Sequence, residues 1–317
     1  MVKLGDVINV HYGKALKADQ RVSNGSVHVF GSSGIVGNHD KTLCSYPTII
    51  IGRKGSVGAI TWAPDGGWII DTAYYVEIKD NNKLDLRYLF YILSGIDLTK
   101  KTITTSIPGL NRDDLYDTFI KLPPFEEQKR IVDLLDKAEG IRQKREQAIK
   151  LADDFLRATF ATMYGNPITN PKKWPVHLMG EIIEFKGGNQ PPKSDFIFEP
   201  KQGYIRLVQI RDFKSDKYAT YIPQEKAKRI FEVDDVMIAR YGPPVFQILR
   251  GLSGSYNVAL MKASPKENIR KGFIFYLLQL PEYHDVVVKN SERTAGQTGV
   301  NLELLNKFNV PLPPIYY

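Results

Sequence analysis

The chain has a single cysteine, Cys44, so no internal disulfide can form, which is the usage expected in a reducing cytoplasm. Its five histidines are scattered without the spacing of a zinc site. No apolar run approaches the roughly 18 residues of a membrane span, and the opening Met1-Val2-Lys3-Leu4-Gly5-Asp6 lacks a signal-peptide pattern. A cytoplasmic protein with no membrane contact is the expectation. Nucleotide chemistry is not signalled either: the glycine-rich loops lack the Lys-Ser/Thr ending of a P-loop, and no dinucleotide fingerprint or nucleophile elbow is present. Acidic residues are outnumbered, 35 against 43 Lys and Arg, giving a formal charge of +8. That excess suits a polyanionic partner, although a solvated basic surface could explain it too.

What the chain does have is a long internal duplication. Gly109-Leu110-Asn111, Leu115 and Leu122-Pro123-Pro124 return as Gly299-Val300-Asn301, Leu305 and Leu312-Pro313-Pro314, in one register of 190 positions (109 to 299, 124 to 314). Further upstream, with small drifts, Leu4-Gly5-Asp6…Gly13 matches Met179-Gly180-Glu181…Gly188, and Ile51-Gly52-Arg53-Lys54-Gly55 matches Ile238-Ala239-Arg240-Tyr241-Gly242. A period this long means duplicated domains, since solenoid units run to roughly 20–50 residues. Two similar modules imply two similar targets. In each copy, short β-branched and aromatic runs punctuated by glycine read as strands, and one apolar stretch, 86 to 93 or 272 to 280, reads as a helix followed by a polar loop. The class expected is α+β.

Between the copies, residues 125 to 163 contain no proline and one glycine, Gly140. Apolar and small residues, broken only at Arg145, recur at alternating steps of three and four from Ile131 to Thr162, the pattern of a coiled-coil-type helix about 60 Å long. Pro123-Pro124 with Glu126 and Glu127 mark its start, and Gly165-Asn166-Pro167 its end. The division is therefore a first module at 1–122, a spacer helix at 123–165 and a second module at 166–317. Gln128, Ile131, Leu134, Leu135, Ile141, Phe155, Leu156 and Phe160 are the candidate residues for contact with another helix.

Loops supply the candidate DNA contacts. In the first module these are Lys14, Ser32, Ser33, Arg53, Lys54, Ser56, Thr105, Ser106 and Asn111, and in the second Gln190, Lys193, Gln209, Arg211, Arg240, Tyr241, Gln297 and Thr298. Glycine lets backbone amides approach phosphates, and the cations, amides and hydroxyls suit phosphate and base edges. The recurrence of an arginine at one place in both copies favours DNA over simple turn-making. Asp65, Glu77 and Lys79 fit the loose spacing of a Mg-dependent nuclease. The second copy offers Met261-Lys262-Ala263 at the Glu77 position, which weighs against that reading. A coiled-coil adaptor with incidental charge is the other alternative.

The stretch Leu122-Pro123-Pro124-Phe125-Glu126-Glu127-Gln128-Lys129-Arg130-Ile131-Val132, set between duplicated domains that open on Leu4-Gly5-Asp6 and Met179-Gly180-Glu181, resembles the specificity subunit of type I restriction-modification systems. The resemblance covers the whole chain. It implies two target-recognition domains, each reading half of a split duplex DNA sequence. It further implies a spacer helix that binds methyltransferase subunits, with restriction subunits joining the complex. No catalysis and no cofactor would belong to this chain: S-adenosylmethionine, ATP and Mg are implied on the partner subunits. The family carries a second conserved helix after its second Pro-Pro, whereas here only Ile315-Tyr316-Tyr317 follow. A homodimer through the central helix, replacing that cover, is the resulting expectation.

Overall fold

A computed structural model describes residues 1–101, 109–242, 244–266, 268–291 and 299–314. They fall into two compact units, Met1–Gln147 and Ala148–Tyr317. In the first, four antiparallel strands run in the order Ile8–Tyr12, Ala73–Ile78, Thr48–Gly52 and Ile60–Ala63. In the second, the same order is built from Ile183–Gly187, Leu260–Pro265, Val236–Ala239 and Ile248–Leu249. The duplication in sequence is thus a duplication of topology.

Strand Thr48–Gly52 is buried throughout, which is why it reads as a continuous apolar run. Successive side chains point to opposite faces. Ile49 and Ile51 join a core with Leu84, Leu89 and Leu93, while Ile50 joins Phe30 and Ile69 on the other side. Val236 and Ile238 face one core of the second unit and Met237 and Ala239 the other. The second face in each unit is covered by another sheet, of three strands in the first and four in the second, containing one parallel pair, Val27–Gly31 with Trp68–Ile69 or Tyr204–Val208 with Gly254–Tyr256. The chain enters that layer at a shared glycine. A Cβ on Gly13 would lie 2.1 Å from the Ile70 carbonyl oxygen, and one on Gly188 1.9 Å from that of Asn257.

The Leu-Gly-Asp and Met-Gly-Glu openings have one mechanical role. Asp6 accepts a hydrogen bond from the Lys3 amide and Glu181 one from the Leu178 amide, each closing the first turn of a short helix. The glycine lets that turn press on a second short helix, since a Cβ on Gly5 would meet Tyr116 at 2.9 Å and one on Gly180 would meet Asn306 at 2.8 Å. Strand pairs Val2–Lys3 with Phe119–Ile120 and Val176–Leu178 with Asn309–Pro311 draw each unit's ends together. The apolar helices span Leu86–Ser94 and Lys271–Leu277. The polar loop expected after the second is instead helix Pro281–Ser291, whose Tyr283 and Val287 are buried in the core. The copies differ here, with Leu98–Lys101 forming a 3-10 turn in the first.

The central helix spans Phe125–Tyr164. The units divide inside it, between Gln147 and Ala148, rather than on either side of it. The reason lies in its two ends. Ile131 and Val132 pack on the first unit's core, and Phe160 and Tyr164 belong to the second's. This corrects three expected contact residues. Gln128 is wholly buried: its amide donates to the carbonyls of Lys83 and Pro123, both at 2.8 Å, and accepts from the Asp85 amide at 2.9 Å. Gln128 therefore locks the helix start to its own unit and presents nothing to a partner. Ile131 is half-buried in the same junction, and Phe160 stacks on Tyr164 and Tyr276. Leu135 is half-buried, whereas Leu134 and Phe155 are each 69% exposed, and Ile141 and Leu156 are exposed with them.

Candidate nucleic-acid interface

Three of the segments singled out in the first copy meet at one place. Past strand Thr48–Gly52 the chain turns through 53–58, with Gly55 and Gly58 both at φ +76°, a left-handed conformation that favours glycine. The amides of Arg53 and Lys54 both donate to the Thr72 carbonyl, and the Arg53 carbonyl accepts from the Leu110 amide at 3.0 Å. Lys54 and Gly109 form a β-bridge. The hairpin tip at 31–34 lies alongside, since a Cβ on Gly52 would be 2.7 Å from the Ser32 carbonyl oxygen. Lys54, Ser56 and Ser33 are exposed there.

The second unit repeats the clamp. The Arg240 amide donates to the Ala259 carbonyl, the Arg240 carbonyl accepts from the Val300 amide at 3.1 Å, and Tyr241 bridges to Gly299. Each copy therefore fixes the backbone of one arginine against its Gly-x-Asn segment. The asparagine itself is a helix cap in both, Asn111 accepting from the Asp113 amide and Asn301 from the Leu304 amide. Its recurrence is explained by folding, and the side-chain oxygen of Asn111 is committed to the cap.

The arginine side chains are free of ion pairs among the described residues. Arg53 lies 5.0 Å from the Tyr12 ring centre and 5.7 Å from that of Tyr74, with one nitrogen 3.3 Å from the Asp71 carbonyl. Arg240 lies 5.0 Å from the Tyr241 ring. Burial, followed by the Tyr12 hydroxyl, pushes the Tyr74 phenol up to about 12, so it stays protonated and donates to the Leu110 carbonyl. Stacking holds a guanidinium by its face and leaves its edges for a ligand.

The remaining candidates are more dispersed. Lys14, Gln190, Lys193 and Arg211 are exposed, Arg211 over the Tyr218 ring, and Gln209 is half-buried beside Asp212. Thr105, Ser106, Gln297 and Thr298 lie outside the described residues. Sequence reasoning missed Tyr12 and Arg112, which join Arg53 in the first unit. The available signals were that Tyr12 precedes the shared Gly13 and Arg112 follows the shared Asn111.

The nuclease set is otherwise engaged. Glu77 lies 2.9 Å from His11 Nε2, and hydrogen bonds from His11 and Asn9 hold its carboxyl below the usual range. Lys79 reaches the Gly5 carbonyl at 2.6 Å, and Asp65 sits in an exposed turn. Among the described residues no cluster of three His, Cys, Asp or Glu could hold a metal, and no helix is long and apolar enough to cross a membrane.

Two modules of one α+β topology, each presenting a clamped arginine and connected in the chain through a 40-residue helix, define a duplicated two-module protein. Residues 1–151 and 171–317 match the family described as type I restriction modification DNA specificity domain, and the chain belongs to that family. It is 22% identical over 310 residues to the type I restriction enzyme EcoBI specificity subunit of Escherichia coli, covering 85% of this chain and 64% of that protein. The MjaVIII specificity subunit of Methanocaldococcus jannaschii is 20% identical over 276 residues, covering 75% and 62%. The chain thus spans somewhat less than two thirds of these relatives' length. The crystal structure of the S subunit from M. genitalium shares the fold, with a TM-score of 0.60 at 17% identity over 98% of this chain and 83% of that one.

Proposed function

We propose that this chain is the sequence-reading subunit of a type I restriction-modification complex, each module reading one half of a bipartite duplex target. The observation that carries this reading is the repeated clamp: Arg53 tied to Leu110 and Arg240 tied to Val300 by the same carbonyl-to-amide bond, each guanidinium about 5 Å from a tyrosine ring centre without an acidic partner among the described residues. A pre-positioned, unneutralised guanidinium suits an anionic or guanine ligand. On this reading the chain performs no catalysis and binds no cofactor. S-adenosylmethionine, ATP and Mg belong to the methyltransferase and restriction subunits, and the assembly works in the cytoplasm.

The exposed apolar residues Leu134, Ile141, Phe155 and Leu156 support a helical partner along the central helix. Methyltransferase subunits are that partner in the assembled complex, and a second copy of the chain takes the place when they are absent. The test is an anisotropy titration of the purified chain in EDTA, without nucleotide, against duplexes carrying the methylated motif of the source genome or its scramble. Binding to the motif at least tenfold tighter is expected. Equal binding to both, or cleavage by the chain alone on adding Mg, overturns the proposal.

A further inference from the structure

The two modules are not equal at the arginine loop. In the first, Tyr12 is 47% exposed and carries two guanidiniums, Arg53 at 5.0 Å and Arg112 at 5.3 Å from its ring centre. Neither makes an ion pair with a carboxylate among the described residues. Arg112 also leans on Tyr116 at 5.9 Å, and its Nε is buried without a hydrogen-bond partner. Both arginines are backbone-fixed: Arg53 through Thr72 and Leu110, and Arg112 as the first residue of helix Arg112–Tyr116 behind the Asn111 cap. In the second module the corresponding positions are Gly187, in register with Tyr12 through Gly13 and Gly188, and Leu302, in register with Arg112 through Asn111 and Asn301. Gly187 leaves the room that Arg240 uses, a Cβ there lying 3.3 Å from its Nη1.

Two like charges held about one ring repel each other. An anion with several acceptor oxygens can take in-plane N–H donors from both. We propose that Tyr12, Arg53 and Arg112 form a fork that grips one backbone phosphate of the DNA bound by the first module, Tyr12 being the positioning residue and the two arginines the contacts. At the register positions Gly187 and Leu302 the second module carries neither the tyrosine nor the second arginine of that fork. The proposal rests on the DNA-reading function above and adds that the first module is anchored to the duplex backbone where the second is not. Arg53 then sets affinity and register, while its neighbours read bases.

The experiment measures duplex affinity of the full chain against salt for wild type, Arg112→Ala, Arg53→Ala, the double variant, Tyr12→Ala and Tyr12→Phe, and repeats it on duplexes bearing a single methylphosphonate at successive positions. For one shared phosphate the double variant flattens the slope of log K against log salt by about 0.9, not by about twice that. Its loss of affinity, about tenfold on the order of a charge-assisted contact, falls equally on all target variants. One methylphosphonate position weakens wild type but leaves the double variant unaffected. Tyr12→Ala behaves like Arg112→Ala, and Tyr12→Phe like wild type. Circular dichroism melts of each variant confirm the fold. An unchanged slope and affinity in the folded double variant overturns the fork, as does a loss confined to one base pair, which would mean guanine readout. A wild type that binds no duplex would refute DNA reading itself, a separate outcome.

Discussion

Replacing Gln128 by leucine tests whether the central helix is welded to the first module or merely follows it. The side chain is fully buried and serves three backbone groups: the Lys83 and Pro123 carbonyls and the Asp85 amide. Leucine conserves the volume but satisfies none of them. Each orphaned buried group costs about 1–3 kcal/mol. With the carbonyls partly recovered by relaxation and water, a net loss of about 3 kcal/mol is expected. The Asp85 amide lies at the entry to helix Leu86–Ser94, whose first turn Asp85 caps through the Tyr88 amide, so the loss is read there. Hydrogen exchange followed by mass spectrometry on the full chain should show amides of that helix and of the first turns of the central helix exchanging roughly 150-fold faster, the equivalent of about 3 kcal/mol. Peptides from the second unit should be unaffected. If exchange at Leu86–Ser94 stays within about threefold of wild type while binding to a partner subunit is lost, Gln128 is an interface residue after all and the argument fails.

Leu134→Asp should leave the melting of the monomer, read at a concentration low enough to dissociate any dimer, within about 0.5 kcal/mol, because the side chain of the single chain is already in water, yet abolish self-association and capture of the methyltransferase subunit; light scattering and a pull-down check both halves. Gly188→Ala places a methyl group against the Asn257 carbonyl and should destabilise the second unit by about 1–3 kcal/mol or more, seen as a lower denaturant midpoint in the fluorescence of Trp174. For Asp235, burial favours the neutral acid, but Lys271, the Glu232 amide and Lys262 hold the carboxyl below the ordinary aspartate range. A folded value below the unfolded one stabilises above about pH 4 and is lost as pH falls through the folded value. The melting advantage of wild type over Asp235→Asn should therefore be full at pH 6 and shrink below pH 4; an advantage that grows on acidification contradicts this sign.

Much of the fold was legible because the chain states it twice. Gly13 with Gly188 and Asn111 with Asn301 stood out by recurrence, and each proved to be a backbone requirement: a close crossing in the first pair, a helix cap in the second. The central helix was legible from its lack of proline and its three-four spacing. Periodicity could not say which apolar positions on it face their own module. Ile131 sits on the same stripe as Leu134 and Phe155, with Phe160 one position beside it, and only the tertiary fold separates buried from exposed. Helix Pro281–Ser291 was hidden by its charged residues, which its burial of Tyr283 and Val287 outweighs. Of the site, Arg53 and Arg240 were visible as repeats. Tyr12 and Arg112 were not, because they belong to one copy alone and converge across about a hundred residues of sequence.

The central claim, one half-target per module, is tested most directly by selecting duplexes from a random library with the full chain and sequencing the survivors. The account predicts two short blocks of fixed sequence separated by a constant gap, with Arg240→Ala degrading at most one block and leaving the other unchanged. A single contiguous block, no enrichment, or equal loss of both blocks in Arg240→Ala would contradict it.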